Sequence, residues 1–247
     1  MNTGWTLLTG EIIVTIEDSY AIIKISRSEK MNSVTKEMLE SFNESVSRIA
    51  NEPNIRALIF TGEGTKAFSA GFDLNTIQNL NGQAAIDFFK LLERTMHLIR
   101  ENRTCITVAA VNGYAIGFGA MVALACDFRI FSDNAVFRLP EVELSVFPGA
   151  GASSNLLQLV GPARAKDILL TSRKVSAKEA MQIGLADMLV NHEDIMEKSI
   201  EFIQELLKKD PKILIRTKTL IDGMTGKELS EAEELETVYL DEWLREL

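Results

Sequence analysis

The chain has 247 residues, of which 46% are hydrophobic, and its formal net charge is −9 at pH 7. This length and apolar content suit one large domain, or one domain with a helical appendage. Because the chain is acidic and lacks a basic stripe, it is a poor candidate for a protein that binds nucleic acid or an anionic membrane.

Strand-like and helix-like segments alternate along most of the chain. Runs of apolar and β-branched residues predict strands at 11–16, 20–26, 55–61, 105–111 and 127–131. Apolar residues at helical spacing predict helices at 35–50 and 84–100, and shorter helices near 119–126, 153–159, 162–171 and 176–183. Strands separated by helices indicate an α/β core.

The two longer predicted helices are amphipathic, and Thr35 is placed to cap the first of them. The apolar face of the first helix is formed by Met38, Phe42, Val46 and Ile49. The apolar face of the second helix is formed by Ala85, Phe89, Leu92, Met96 and Ile99. Both faces are expected to pack against the core.

From residue 194 onward the pattern is almost wholly helical, with breaks at Asp210-Pro211 and between Gly223 and Gly226. We therefore predict a core, residues 1–193, and a C-terminal helical subdomain, residues 194–247. Several apolar residues of the last segment, 227–247, need a packing surface, and we expect a neighbouring subunit to provide it. They are Leu235, Val238, Leu240 and Trp243.

Residues 105–126 contain no charged residue and are long enough to span a bilayer. Gly113 and Gly117 within them have the GxxxG spacing of packed membrane helices. We reject a membrane span because Asn112-Gly113 is a strong turn signal, which divides the run into a strand-like part and a short helix-like part.

The cysteines indicate a reducing compartment. Cys105 and Cys126 each lie inside an apolar run, and neither belongs to a disulfide framework or a CxxC metal site, so free core thiols are predicted. Residues 1–5 lack the basic start of a signal peptide, and no long apolar segment follows. These features predict a cytoplasmic protein.

Two glycine-bearing turns and one carboxylate carry the predicted chemistry. The first glycine loop is residues 66–73, the second glycine loop is residues 111–119, and the carboxylate is Glu141. Two turns that aim backbone N–H groups at one point form an oxyanion hole, and a nearby carboxylate can move a proton. Glu141 lies among apolar neighbours, which would raise its pKa, although a surface glutamate on a turn explains the spacing equally well. Glu143 has the same standing.

Other candidate sites are weaker. Residues 61–66 lack the spacing of a phosphate-binding loop, and no GxGxxG motif supports a dinucleotide site. His97 lies on the polar face of its helix and His192 lies in a predicted loop, so no metal site is expected. Ser69 lacks the context of a nucleophile.

Four ordered segments resemble the crotonase superfamily, the enoyl-CoA hydratase/isomerase group. Residues 68–73 are similar to its first oxyanion loop, 109–119 continuing to Asp127 to its second, and 139–151 to its acid/base segment. Residues 27–32 resemble its N-terminal turn that contacts coenzyme A. The resemblance covers nearly the whole chain. It implies a spiral of ββα units with a C-terminal helical part, assembled as trimers or pairs of trimers.

The resemblance implies an acyl-CoA thioester as substrate and no separate cofactor. The thioester oxygen would accept hydrogen bonds from the backbone N–H groups of Phe72 and Phe118, and Glu141 would transfer the proton. Arg27 and Lys66 are candidates for the phosphates of the ligand. The implied substrate contacts are Met31, Lys66, Ala70, Asp73, Leu74, Met121 and Gly149.

Two residues depart from the family pattern. Phe118 stands where the second loop usually has glycine, which is expected to narrow the acyl pocket or to distort the oxyanion hole. Met121 stands where hydratases of the family carry a second glutamate, and a thioether cannot transfer protons. A single Glu141 favours a Δ3-Δ2-enoyl-CoA isomerase. The alternatives are an enoyl-CoA hydratase, with Glu143 as surrogate or Glu141 alone, and a crotonase-fold protein that binds acyl-CoA without turnover.

Overall fold

The computed structural model describes residues 12–246. Two sequence-based expectations therefore lie outside the described residues. They are the missing signal peptide in residues 1–5 and the first residue, 11, of the first predicted strand.

Within residues 12–246 the chain forms ten strands and nine α-helices. The strands are β1 (Ile12–Ile16), β2 (Tyr20–Ile25), β3 (Ala57–Gly62), β4 (Ala67–Ser69), β5 (Ile106–Val111), β6 (Tyr114–Ile116), β7 (Phe128–Ser132), β8 (Val136–Arg138), β9 (Val175–Ser176) and β10 (Met188–Val190). The helices are α1 (Lys36–Ile49), α2 (Leu74–Gln78), α3 (Gly82–Arg100), α4 (Phe118–Ala125), α5 (Ala152–Thr171), α6 (Ala177–Gln182), α7 (Ile195–Leu207), α8 (Pro211–Met224) and α9 (Leu229–Leu244).

The strands form two sheets. The larger has the order β1-β2-β3-β5-β7-β10, in which β1 is antiparallel to β2 and the other neighbours are parallel. The smaller has the order β4-β6-β8-β9, in which β9 runs antiparallel to β8. The pairs β3-β4, β5-β6 and β7-β8 each place their first strand in the larger sheet and their second in the smaller, and helices follow each pair. The predicted spiral of ββα units is confirmed.

The two long amphipathic helices form as predicted, with one change. Thr35 caps α1 by accepting a hydrogen bond from Met38 N at 3.3 Å, and the predicted apolar face of α1 is buried. In α3 the buried aromatic residue is Phe88, and the predicted Phe89 is 39% exposed. The helix contacts the core over a slightly rotated face, because Thr95 is also buried, where its hydroxyl accepts from Asn43 at 2.9 Å.

Sequence patterns did not indicate the smaller sheet. Its strands have two or three residues each, which is too few for an alternating pattern. The first strands also lie in or beside the glycine loops, whose sequences indicate turns. The two helices expected at 153–159 and 162–171 form on either side of Gly161, whose φ of 76° and ψ of 168° are not helical, so α5 consists of two helical stretches that meet at a kink. Pro162 follows, and it cannot donate to the preceding helical turn.

The C-terminal helices α7, α8 and α9 form with the two predicted breaks between them. Helix α7 packs on the larger sheet, where Ile203 belongs to the same buried cluster as Ile59 and Val108. The boundary at 193/194 stays a prediction, as does packing against another subunit. On α9, Val238 and Trp243 are 51% and 38% exposed, which leaves them available for such packing.

The apolar stretch 105–126 lies in the core as β5, β6 and α4. Cys105 and Cys126 are buried and free, as predicted. None of the helices between residues 12 and 246 has the length and apolar character that a bilayer crossing requires.

Candidate active site

The two glycine loops and the predicted carboxylate meet at one place. Gly71 and Gly117 have positive φ angles of 93° and 52°. A Cβ atom on Gly117 would lie 3.8 Å from Gly71 Cα and 3.7 Å from Glu141 Oε1. A Cβ atom on Gly71 would lie 3.1 Å from the carbonyl oxygen of Ile116. Both positions therefore need glycine for conformation, and side chains there would fill the space beside the carboxylate.

Three short parallel strands of the smaller sheet explain this meeting. β4 pairs with β6, placing Ser69 beside Ala115, and β6 pairs with β8, placing Ile116 beside Arg138. The first glycine loop continues from β4, the second glycine loop continues from β6, and the segment with Glu141 continues from β8. Because the carboxyl ends of parallel strands lie at one edge of a sheet, the three segments converge there.

The two predicted oxyanion donors have unused backbone N–H groups. Within residues 12–246, the N–H groups on either side of Phe72 have acceptors, since Gly71 N donates to Ser69 Oγ at 3.2 Å and Asp73 N donates to Val34 O at 2.9 Å. No acceptor within those residues receives the Phe72 N–H itself. Phe118 is the first residue of α4, so its N–H has no partner in the helix, and the positive end of the helix dipole lies there.

Helix α4 reaches the first glycine loop through a close contact that only glycine allows. A Cβ atom on Gly119 would lie 2.7 Å from Ser69 O and 2.9 Å from Ser69 Cβ. Ser69 is fully buried, and its hydroxyl donates to Asn32 O at 2.8 Å. Gly119 thus sets how closely the segment with the Phe118 N–H approaches the segment with the Phe72 N–H.

Glu141 is a buried carboxylate. It lies in a turn, as one of the two interpretations of the sequence required, but it is only 6% exposed, so it is not a surface glutamate. Its Oε2 atom is buried and has no hydrogen-bond partner among residues 12–246. Burial raises the pKa of the Glu141 carboxyl, and a hydrogen bond from its own backbone N–H acts in the opposite direction. A raised pKa in a glutamate suits proton transfer near neutral pH.

Glu143 and Met121 have environments that differ from that of Glu141. The Glu143 side chain is 57% exposed and forms an ion pair with the Arg138 guanidinium, so its environment differs from that of Glu141. Met121 is 6% exposed and lies one helical turn after Gly117, to whose carbonyl oxygen its N–H donates at 2.9 Å. The equal standing that the sequence assigned to Glu143 is therefore wrong.

The Phe118 ring lies in the hydrophobic core. It is 1% exposed, with its centroid 5.4 Å from that of Phe42 in an edge-on arrangement and 5.2 Å from that of Phe72. The contact between the Phe72 and Phe118 rings stabilises the relative position of the two glycine loops, because one ring comes from each loop. The ring therefore has a packing role, and its expected effect on the acyl pocket or on the oxyanion hole stays a prediction.

The remaining predicted contacts lie around the first glycine loop. Ala70 N donates to Met31 O at 2.9 Å, and Met31 has a positive φ of 52° and is 36% exposed. Asp73 caps α2 by accepting from Asn75 N at 3.0 Å. Leu74, the next residue, is 67% exposed.

Two cations suggested for the phosphates of a ligand have different environments. The Arg27 guanidinium donates to Asp73 Oδ2 at 3.0 Å and to Ser33 O at 3.3 Å, so it holds the first glycine loop. Lys66 is exposed, and its carbonyl oxygen accepts from Tyr114 N at 3.0 Å. Gly149 is half-buried beyond the turn with Glu141. Contact of these residues with a ligand stays a prediction.

Sequence reasoning missed the polar residues that fix the loops. Asn32 Nδ2 donates to Ala67 O at 2.7 Å, and Asn112 Nδ2 donates to Gly62 O at 2.8 Å, so two buried amides hold turns near the site. Arg138 ends β8 and contacts the turn with Glu141. An asparagine beside a turn is a common feature of sequences. The carbonyl groups that accept from these two side chains are distant in sequence, so the hydrogen bonds could not be predicted from the sequence.

A cavity of about 380 Å³ lies at the opposite end of α4. Its charged lining includes Lys218, whose ammonium group donates to Asp127 Oδ2 at 2.7 Å and to Cys105 O at 3.0 Å. This ion pair links α8 to the core. The predicted catalytic residues do not line the cavity, so it is separate from the candidate active site. Elsewhere in the chain, His97 is exposed and His192 is half-buried.

Comparisons with known proteins find similar sequences and similar folds. The family model for enoyl-CoA hydratase/isomerase matches residues 15–245. A crotonyl-CoA hydratase from Syntrophomonas wolfei is 37% identical over 80% of this chain and 76% of its own. The crystal structure of an enoyl-CoA hydratase from Bacillus anthracis superposes with a TM-score of 0.89 at 31% identity, covering 94% of this chain and 90% of the other. A Thermobifida fusca structure in complex with acetoacetyl-CoA superposes with a TM-score of 0.88 at 28% identity, covering 100% and 99%.

Proposed function

Because the chain belongs to the enoyl-CoA hydratase/isomerase family, we propose that it is a Δ3-Δ2-enoyl-CoA isomerase in which Glu141 is the proton-transferring group. The observation that carries this proposal is one buried carboxylate beside the second glycine loop, whose Phe118 N–H is a predicted oxyanion donor. The resemblance to the family adds that Met121 stands where hydratases carry their second glutamate. The ligand class has independent support, since a structural neighbour binds acetoacetyl-CoA.

The proposed reaction moves one proton and needs no separate cofactor. Glu141 takes a proton from C2 of a 3-enoyl thioester, and the electron pair delocalises onto the thioester oxygen as a dienolate. The N–H groups of Phe72 and Phe118 stabilise that oxygen, and each such donor typically contributes about 3 kcal/mol in the transition state. The protonated Glu141 then returns its proton to C4, which gives the 2-enoyl thioester and restores the carboxylate.

The direct test compares the purified protein on 3-hexenoyl-CoA and on crotonyl-CoA, following the absorbance of the 2-enoyl thioester. We expect absorbance to appear with 3-hexenoyl-CoA, and to persist with crotonyl-CoA because hydration is slow. Loss of absorbance with crotonyl-CoA, without isomerisation of the first substrate, would contradict the proposal. Tight binding of both thioesters with no reaction would instead identify a protein that binds acyl-CoA without turnover.

A hydratase is the second candidate, and the name of the Syntrophomonas wolfei relative favours it. Hydration adds a hydroxyl group from water at C3 and a proton at C2. With Glu141 alone, the same carboxylate would have to accept the proton from water and deliver it to C2. The ion pair and exposure of Glu143 argue against its acting as the second acid.

A gain-of-function variant separates the two candidates. If the missing second carboxylate limits hydration, Met121→Glu is expected to raise the rate of crotonyl-CoA hydration by about 100-fold, the lower end of the usual contribution of an acid/base group. Met121→Gln is the matched neutral control, since it has the same size and polarity without a titratable group. Equal hydration rates in both variants would show that residue 121 does not limit that reaction.

A further inference from the structure

Few hydrogen bonds hold the carboxyl group of Glu141. No donor within residues 12–246 reaches Glu141 Oε2, so the position of the carboxyl depends on where the turn places its backbone. The turn is closed internally, because Leu144 N donates to Pro140 O at 3.0 Å and Val146 N donates to Glu141 O at 2.8 Å. These bonds fix its shape, but they do not fix its location relative to the oxyanion donors.

Arg138 contacts the second glycine loop, the turn with Glu141 and the end of α5. Its carbonyl oxygen accepts from Gly117 N at 3.0 Å, directly before the Phe118 N–H. Its guanidinium donates from Nε to Ser172 O at 2.7 Å and from Nη2 to Glu143 Oε2. The backbone of Arg138 therefore holds the second glycine loop, while its side chain joins the turn with Glu141 to the end of α5.

We infer that Arg138 and Glu143 form a positioning pair, which sets the distance between the Glu141 carboxyl and the oxyanion donors. This inference rests on the proposed role of Glu141 as the proton-transferring group. The side chains of the pair do not need to touch the substrate. The Arg138 side chain is 25% exposed, and Ser172 has a positive φ of 49° at the end of α5, so the guanidinium joins two irregular segments that lack regular secondary structure of their own.

The alternative role for Glu143 is direct acid/base chemistry. The two roles predict different effects of single and double substitutions. A positioning pair loses its effect when either partner is changed, and the double variant is then no worse than Arg138→Gln alone. A catalytic Glu143 would instead make Glu143→Gln far more damaging than Arg138→Gln, and it would remove one limb of the pH–rate profile.

The experiment measures kcat, KM and melting temperature for Arg138→Gln, Glu143→Gln and the double variant. We expect kcat to fall about 10- to 100-fold in Arg138→Gln, within the range for a catalytic group displaced by about 1 Å, with KM changed less than about twofold. The kcat of Glu143→Gln should also fall, and Glu143→Asp should retain part of the rate that Glu143→Gln loses. Glu179→Gln is the matched control, because Glu179 pairs with Arg173 at 2.7 Å and, within residues 12–246, has no hydrogen bond or ion pair to the turn.

A second measurement is independent of the reaction that the enzyme catalyses. Carbon NMR of the labelled Glu141 carboxyl should show its pKa falling toward the ordinary glutamate value in Arg138→Gln and in Glu143→Gln, because a displaced turn admits water. Both variants keep Glu141 itself, so this shift reports its environment. If the wild-type protein hydrates crotonyl-CoA and does not isomerise, the same rate comparison applies to hydration. If it turns over neither substrate, the NMR titration decides alone.

The inference is overturned by either of two results. One is an unchanged kcat and an unchanged Glu141 pKa in folded Arg138→Gln and Glu143→Gln proteins. The other is a large loss in Glu143→Gln that Arg138→Gln does not share. Glu143 is mostly exposed, so its variant is expected to fold even if Arg138→Gln does not, and the melting temperatures show which proteins qualify.

Discussion

Glu141→Gln is expected to lower kcat for isomerisation of 3-hexenoyl-CoA by about 1,000-fold, the middle of the range for a positioned acid/base group. Glutamine has nearly the same size and the same contacts, but it cannot accept a proton from C2 or return one to C4. Binding of the thioester should change little, since the oxyanion donors belong to the backbone of Phe72 and Phe118. Steady-state kinetics checks the rate, and isothermal titration with the product checks binding. A variant that retains more than a tenth of the wild-type kcat would contradict the assigned role.

The raised pKa of Glu141 also predicts how the activity and the stability of the wild-type protein depend on pH. The base must be ionised, so kcat/KM of the wild-type protein should fall as the pH decreases through the raised pKa of Glu141, above the ordinary value of about 4.3. A carboxyl with a raised pKa in the folded state stabilises the fold fully below its unfolded pKa, and this contribution is lost as the pH rises through the folded pKa. At neutral pH the buried carboxylate therefore destabilises the wild-type protein.

Melting temperatures at pH 4 and at pH 7 check this sign. Relative to the wild-type protein, Glu141→Gln should gain stability between pH 4 and pH 7, because it has no group to ionise. A site that is less stable than its neutral variant is typical of functional residues, where activity and stability conflict. A relative loss of stability over the same pH interval would show that the ionised carboxyl is better stabilised than its burial indicates.

Five strands of the larger sheet and the long helices could be predicted from the sequence because their patterns extend over five or more residues, whereas the sixth strand, β10, has three residues and was not predicted. Strand β3 is a continuous apolar run and α1 has a complete amphipathic face, and both form within a few residues of the predicted ends. The smaller sheet could not be predicted in this way, since β4, β6 and β8 have three residues each and are defined by pairing with one another. Its parallel register is nevertheless what brings the two glycine loops together.

For the site, the sequence indicated which backbone segments and which carboxylate matter, but it could not rank neighbouring residues. Glu141 and Glu143 are two positions apart in the same motif, and only the fold shows that one is buried without a donor to Oε2 while the other forms an ion pair in solvent. Phe118 is similar, because its departure from glycine suggested interference with the pocket. Its backbone N–H lies at the start of α4, whereas its ring packs in the core.

Gly119→Ala is expected to lower kcat by about 100- to 1,000-fold, comparable to the loss of one oxyanion donor. Gly119 is in a regular helix, so alanine there would ordinarily favour helix formation. The added Cβ would lie 2.7 Å from Ser69 O, which is backbone and buried, so α4 or β4 must shift. That shift separates the segment with the Phe118 N–H from the segment with the Phe72 N–H. Because both donors act on one oxygen, a displacement of a few tenths of an ångström weakens at least one hydrogen bond in the transition state.

The loss should appear in kcat more than in KM, since the donors act most strongly on the charge that develops in the dienolate. Gly226→Ala is the matched control, because a Cβ there meets nothing within 4 Å, although its φ of 79° costs about 1 kcal/mol in backbone strain. That control lowers the melting temperature without changing kcat, which separates a general loss of stability from a local effect on the oxyanion hole. If Gly119→Ala keeps the wild-type kcat while folding normally, then the contact with Ser69 does not set the geometry of the donors, and the site tolerates a looser approach of α4 to β4 than the structure indicates.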